Sequence, residues 1–98
     1  MYALAIIRYL KPLDEILPHL EAHRAYLREL ETAGRLLASG PLEPRVGGAL
    51  LLRFPPAEEP LVALARVRDG DPFTRLGLAS YELLQWTPVI GLERLDAL

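Results

Sequence analysis

The sequence predicts an α+β domain of the ferredoxin-like kind, with a four-stranded antiparallel sheet and both helices on one of its faces. Three observations carry this expectation. The elements read in the order strand, helix, strand, strand, helix, strand, which is the split βαβ arrangement. The second and third strands are separated by a short Gly/Pro segment, as in a hairpin. A chain of 98 residues has room for one hydrophobic core and not two, so residues 1–98 are read as a single domain.

The first strand is "YALAIIRY", a short apolar run with β-branched residues at its centre, stopped by Lys11-Pro12. From Leu13 to Leu37 the apolar residues recur at helical spacing. Pro18 is tolerated only in a first turn, so the main helix is expected to start near it, after a looser turn containing Asp14 and Glu15. Leu20, Leu27 and Leu30 form its apolar stripe, and Gly34 suits its C-terminal end. "RLLASGPL" and "GALLLRF" are the hairpin strands around the loop "PRVGG", the second closed by Pro55-Pro56. "AEEPLVALARV" returns to helical spacing, with Leu61, Leu64 and Ala65 expected inward. "DPFTRLGL" restarts a short helix with Asp71 as N-cap and Pro72 at the first helical position. "SYELLQWTPV" is rich in strand formers and supplies the last strand. The tail "GLERLDAL" carries Leu92, Leu95 and Leu98 at a spacing that suits a short helix or a contact with a second subunit.

Strands such as "ALAIIRY" and "ALLLRF" are apolar on both sides, so the face away from the helices also needs cover. The simplest cover is a second copy of the chain, which predicts a homodimer or a higher homo-oligomer whose sheets pack together.

Composition excludes several function classes. Thirteen acids against eleven basic residues, a net charge of −2 and no basic run give no reason to expect a nucleic-acid partner. The absence of cysteine removes disulfides, thiolate catalysis and cysteine-based metal sites. The apolar start "MYALAIIRYL" lacks a basic n-region and a small-residue cleavage site, and it is too short to span a bilayer. A soluble, cytoplasmic protein without a membrane partner is therefore expected. Ten Arg to one Lys, nine Pro and no Asn fit a thermophile or a GC-rich genome.

His23 shares the stripe of Leu20, Leu27 and Leu30, so its imidazole faces the core and needs a partner. Two readings stand: a packed, hydrogen-bonded histidine, or a general acid/base that titrates near neutral pH. His19 and His23 lie at i, i+4, but no third ligand accompanies them, so no metal is expected. Asp71 is an ordinary cap in one reading and the orienting partner of a histidine in the other. "SGPL" at 39–42 and Gly47-Gly48 are turn residues, or amide donors to an anion. Tyr9, Tyr26, Tyr81 and Trp86 read as core or dimer-contact aromatics. There is no phosphate-binding glycine fingerprint and no nucleophile elbow, so neither a nucleotide cofactor nor a serine nucleophile is expected.

Taken together, "HRAYLRELETAGRLLASGPL", "GGALLL" and "DPFTRLGL" resemble the YCII-related (YciI-like) family. The likeness runs from the first strand to about Trp86. Its parts are a helix histidine (His23), a "G-x-L-L-x-S-G-P" strand (Gly34 through Pro41), the Gly47-Gly48 hairpin, and Asp71-Pro72-Phe73 followed by Gly77. The order and spacing of these parts carry the resemblance, since each alone is weak. It implies a dimeric α+β barrel in which His23 and Asp71 approach each other in a cleft as an active-site pair. Ser39, Gly40, Pro41 and Phe73 would then contact the substrate. The sequence departs from the family in having no arginine between Lys11 and His23, where members often carry one.

The chemistry these residues support is proton transfer without metal or organic cofactor. That points to a small lyase- or isomerase-like enzyme acting on a small organic molecule. The alternative is a dimeric module that binds a small ligand, or serves a larger enzyme, and catalyses nothing. An enzyme requires an open cleft beside His23 Nε2. A purely structural pair would be sealed by side chains such as Leu27, Phe73 and Trp86.

Overall fold

A computed structural model describes all residues 1–98. In chain order the elements are β1 (Tyr2–Tyr9), α1 (Leu13–Ile16), a 3-10 turn (Leu17–His19), α2 (Leu20–Thr32), β2 (Leu36–Pro41), β3 (Gly47–Arg53), α3 (Pro60–Gly70), α4 (Pro72–Arg75), β4 (Ala79–Trp86) and α5 (Leu92–Asp96). The strands form one antiparallel sheet in the order β2-β3-β1-β4. The predicted ferredoxin-like arrangement is the one observed.

Alternation along β1 decides what each sheet face carries. Ala3, Ala5 and Ile7 point to the helices, in register with Leu52, Leu50 and Gly48 of β3 and with Gln85, Leu83 and Tyr81 of β4. With Leu27, Leu64, Val67 and Phe73 they build one core. Leu4, Ile6 and Arg8 point the other way, beside Leu51 and Ala49 of β3 and Leu84, Glu82 and Ser80 of β4. That second face is open in the single chain, where Leu84 and Trp86 are 39% and 40% exposed. Only its end near Tyr2 is covered, because α5 folds back on it. Tyr2 donates its hydroxyl hydrogen to Asp96 over 2.6 Å, and Arg53 donates to the carbonyls of Leu95 and Leu98. The tail is therefore a short helix tied to the sheet of its own chain.

Pro18 falls in the 3-10 turn, which is why the regular helix waits until Leu20. The helix ends as Gly34 suggested. At φ +76° this glycine closes a Schellman motif, in which its own N–H reaches Glu31 O and Arg35 N–H reaches Leu30 O. Glu59 caps α3 by accepting from the N–H groups of Leu61 and Val62. One expectation for α3 is corrected. Leu61 is 63% exposed, and the buried face is Ala63, Leu64 and Val67. The first turns of the helix, Leu61 to Ala65, are apolar all round, so its period does not orient it there; Ala63 lets it sit close to the core.

Candidate active site

The site begins with a break between helices. Arg68 O receives the Asp71 N–H as α3 ends, and the Asp71 side chain then accepts from Phe73 N–H at 2.9 Å as α4 begins. Pro72 at the first helical position fixes the turn. At this break the carboxylate points inward, and Asp71 is 0% exposed.

Two further donors complete its coordination. His23 Nδ1 lies 2.9 Å from Oδ1 and 2.8 Å from Oδ2, although 48 positions separate the residues in sequence. Tyr81, on the helix-facing side of β4, donates its hydroxyl hydrogen to Oδ2 in a short bond. Burial raises the Tyr81 pKa well above the usual phenol value, and the Asp71 charge adds to the effect. Tyr81 therefore stays a donor. Tyr26, which donates to Val67 O at 2.7 Å, is pushed up to about 12, chiefly by desolvation and then by Asp71. A carboxylate with three donors has its buried charge well satisfied.

The imidazole is fixed by more than this bond. Phe73 stacks on it with ring centroids 4.1 Å apart and an interplanar angle of 6°, and Tyr9 meets Phe73 edge-on at 6.0 Å. With Nδ1 on an acceptor-only carboxylate, that nitrogen carries a proton, and in the neutral ring Nε2 then holds the lone pair. Nε2 has no protein partner. It is also not one of the sealed, unpartnered polar atoms, which are Arg35 Nη1 and Thr74 Oγ1. It sits at the wall of a cleft of about 230 Å³ between α2 and the β2–β3 hairpin.

The cleft gathers most of the residues expected at a substrate. Ser39, Gly40, Pro41 and Phe73 line it together with His23, while Asp71 stands behind the histidine. Its floor depends on Gly47, because a Cβ there would lie 1.7 Å from Ile7 O, and any side chain would push the hairpin off β1. Trp86 takes no part. It lies on the opposite sheet face, so it cannot seal the pair. His19 is partly exposed at the end of the 3-10 turn, and no three His, Asp or Glu side chains converge anywhere in the chain.

Sequence reasoning missed three contributors. Tyr81 reads in the sequence as a core or dimer aromatic, yet it holds Asp71. A tyrosine among inward-facing strand residues needs a hydroxyl partner, and that was the available signal. Arg24 and Arg45 also line the cleft, and nothing in their local sequence marked them.

The YCII-related domain family model matches residues 1–87. No curated protein matches the chain. Among solved structures, 5-chloro-2-hydroxyhydroquinone dehydrochlorinase (TftG) from Burkholderia phenoliruptrix AC1100, in complex with 2,5-dihydroxybenzoquinone, superposes with a TM-score of 0.73. The two are 23% identical over 91% of this chain and 96% of that one, a likeness of fold. No helix is long and apolar enough to cross a membrane. Matched over most of its length, this chain belongs to the YCII-related family.

Proposed function

We propose that the chain is a cofactor-independent acid/base enzyme of the lyase or isomerase kind, acting on a small organic molecule in the cleft beside His23. The single observation behind this reading is the open edge of the imidazole. Nδ1 is held by a buried carboxylate while Nε2 faces the cleft without a protein partner. In that geometry Nε2 takes a proton from an acidic C–H or O–H of the substrate. The electron pair left behind forms a new π bond as a leaving group departs, or shifts within the molecule, and the proton returns in the second case. Asp71 stabilises the imidazolium that forms and keeps the ring in one tautomer. Ser39, Gly40, Pro41 and Phe73 contact the substrate. The likeness to a dehydrochlorinase that holds a hydroxylated quinone supports an elimination or isomerisation on a ring compound.

The test is a panel of small halogenated and hydroxylated ring compounds, each followed by NMR for consumption, with wild type and His23→Asn side by side. A substrate of the wild type is expected to lose about 10²–10⁴-fold in rate with the variant. Equal rates would remove His23 from the chemistry. A compound that raises Tm but is recovered unchanged would instead favour a binding module without catalysis.

The same reading places a second copy on the open sheet face around Leu4, Ile6, Leu51 and Leu84. Sedimentation equilibrium is expected to give a dimer for the wild type and a monomer for Leu84→Glu. A monomeric wild type would end this part of the proposal.

A further inference from the structure

The cleft carries more positive charge than proton transfer requires. Arg24 follows His23 on α2, Arg45 lies in the loop between β2 and β3, and both line the cleft. Neither takes part in an ion pair or a side-chain hydrogen bond. Arg8, Arg35 and Arg68 each pair with a carboxylate; Arg28, Arg66 and Arg94 are also unpaired, but they lie outside the cleft. Arg53 and Arg75 are held by backbone carbonyls. No Asp or Glu lines the cleft, and the Asp71 carboxylate behind His23 is already occupied by three donors. In a chain of net charge −2, an acid-free wall with two free guanidinium groups is a local reversal of sign.

Leu20, Leu27 and Phe73 give the cleft an apolar wall on its α2 side, while Ser39 and the hairpin glycines line the other. The cleft's volume of about 230 Å³ exceeds the roughly 150 Å³ that encloses a benzene ring, so a ring with one or two substituents fits. A planar guanidinium matches two oxygens of a carboxylate or an ionised enol better than any neutral group.

We propose that Arg24 and Arg45 form an anion-recognition subsite, so that the ligands of this cleft are small monocyclic molecules bearing a carboxylate or another ionised oxygen. The ring lies on the apolar wall and the charge lies on the guanidinium groups. This rests on the cleft being the ligand site proposed above, and it requires no turnover there.

Benzoate and benzamide test it, because they share size and shape and differ in charge. Each is titrated into the ¹⁵N-labelled full chain at low ionic strength. The amides of Gly47, Gly48 and Phe73 are expected to shift, with benzoate binding more tightly than benzamide. Added salt is expected to weaken benzoate alone. Arg24→Met and Arg45→Met, both at exposed and unpaired positions, are each expected to cut the benzoate advantage about two- to fivefold, and the double variant to remove it. Cleft amides that move equally for both ligands, or a preference kept by the double variant, would overturn the anion subsite while leaving the ligand site intact. Cleft amides that never move would overturn both.

Discussion

Replacing Asp71 by asparagine is expected to lower the rate of any reaction run through the cleft by about 10³–10⁴-fold, with the fold retained. Asp71 accepts from His23, Phe73 and Tyr81 at once. An asparagine has one acceptor oxygen and one donor group in the same outline. If the oxygen keeps the Phe73 N–H and so the cap of α4, the NH₂ group takes the place of Oδ2, the atom 2.8 Å from His23 Nδ1 that also meets the Tyr81 hydroxyl. The neutral ring then turns its lone pair inward and carries its proton on Nε2, so the atom at the cleft changes from base to donor. Tyr81 adapts by rotating its hydroxyl to accept. Long-range ¹H–¹⁵N correlation of the imidazole, at a pH where the ring is neutral, reads the tautomer directly. The expected result is Nδ1–H in the wild type and Nε2–H in Asp71→Asn. An Nε2–H tautomer already present in the wild type would contradict the assigned role of Asp71, and so would a variant of undiminished rate.

Truncation of Phe73 to alanine is expected to be the costliest single change to stability. Its ring is 1% exposed, lies flat on His23 and meets Tyr9 at its edge. Its removal takes apolar contact from the core and leaves a void under the imidazole, at a cost of about 3–5 kcal/mol. For a domain of this size that lowers Tm by roughly 12–40 °C. Leu61→Ala is the control, since Leu61 sits on the same side of the chain's midpoint but is 63% exposed. Its effect is expected within about 0.5 kcal/mol. Thermal unfolding followed by circular dichroism separates the two. Comparable losses would mean that α3 packs through Leu61, as its sequence spacing had suggested.

The contrast between α2 and α3 shows what was legible. In α2 one stripe of Leu20, His23, Leu27 and Leu30 stands out, and the structure buries His23 and Leu27 with Leu20 and Leu30 half-buried beside them. In α3, Leu61 to Ala65 are all apolar and the polar Arg66, Arg68 and Asp69 come only in its second half, so no polar residue marks the outside of its first turns and spacing points to the wrong inward side. The hairpin, the Asp71-Pro72 helix start and the Gly34 terminus were readable because each is settled by interactions within a few residues. The site was only partly readable. His23 stands out as a polar residue on an apolar stripe and Asp71 as the cap of a helix, yet their pairing follows from family resemblance rather than from any local signal. Tyr81, Arg24 and Arg45 were not assigned to the site at all.

By itself, then, the sequence determined the order of strands and helices, the places where they stop, and the one polar side chain, His23, that burial would have to satisfy. Spacing and capping act over one to four residues, and those distances are written in the chain. Only the tertiary structure decided that His23 of α2 and Tyr81 of β4 converge on the Asp71 carboxylate, and that Nε2 rather than Nδ1 is left open. It likewise decided that two unpaired arginines share that opening. Those outcomes depend on how α2 and the α3–α4 break settle on the sheet. That arrangement is set by burial of the whole core, which no window of sequence contains.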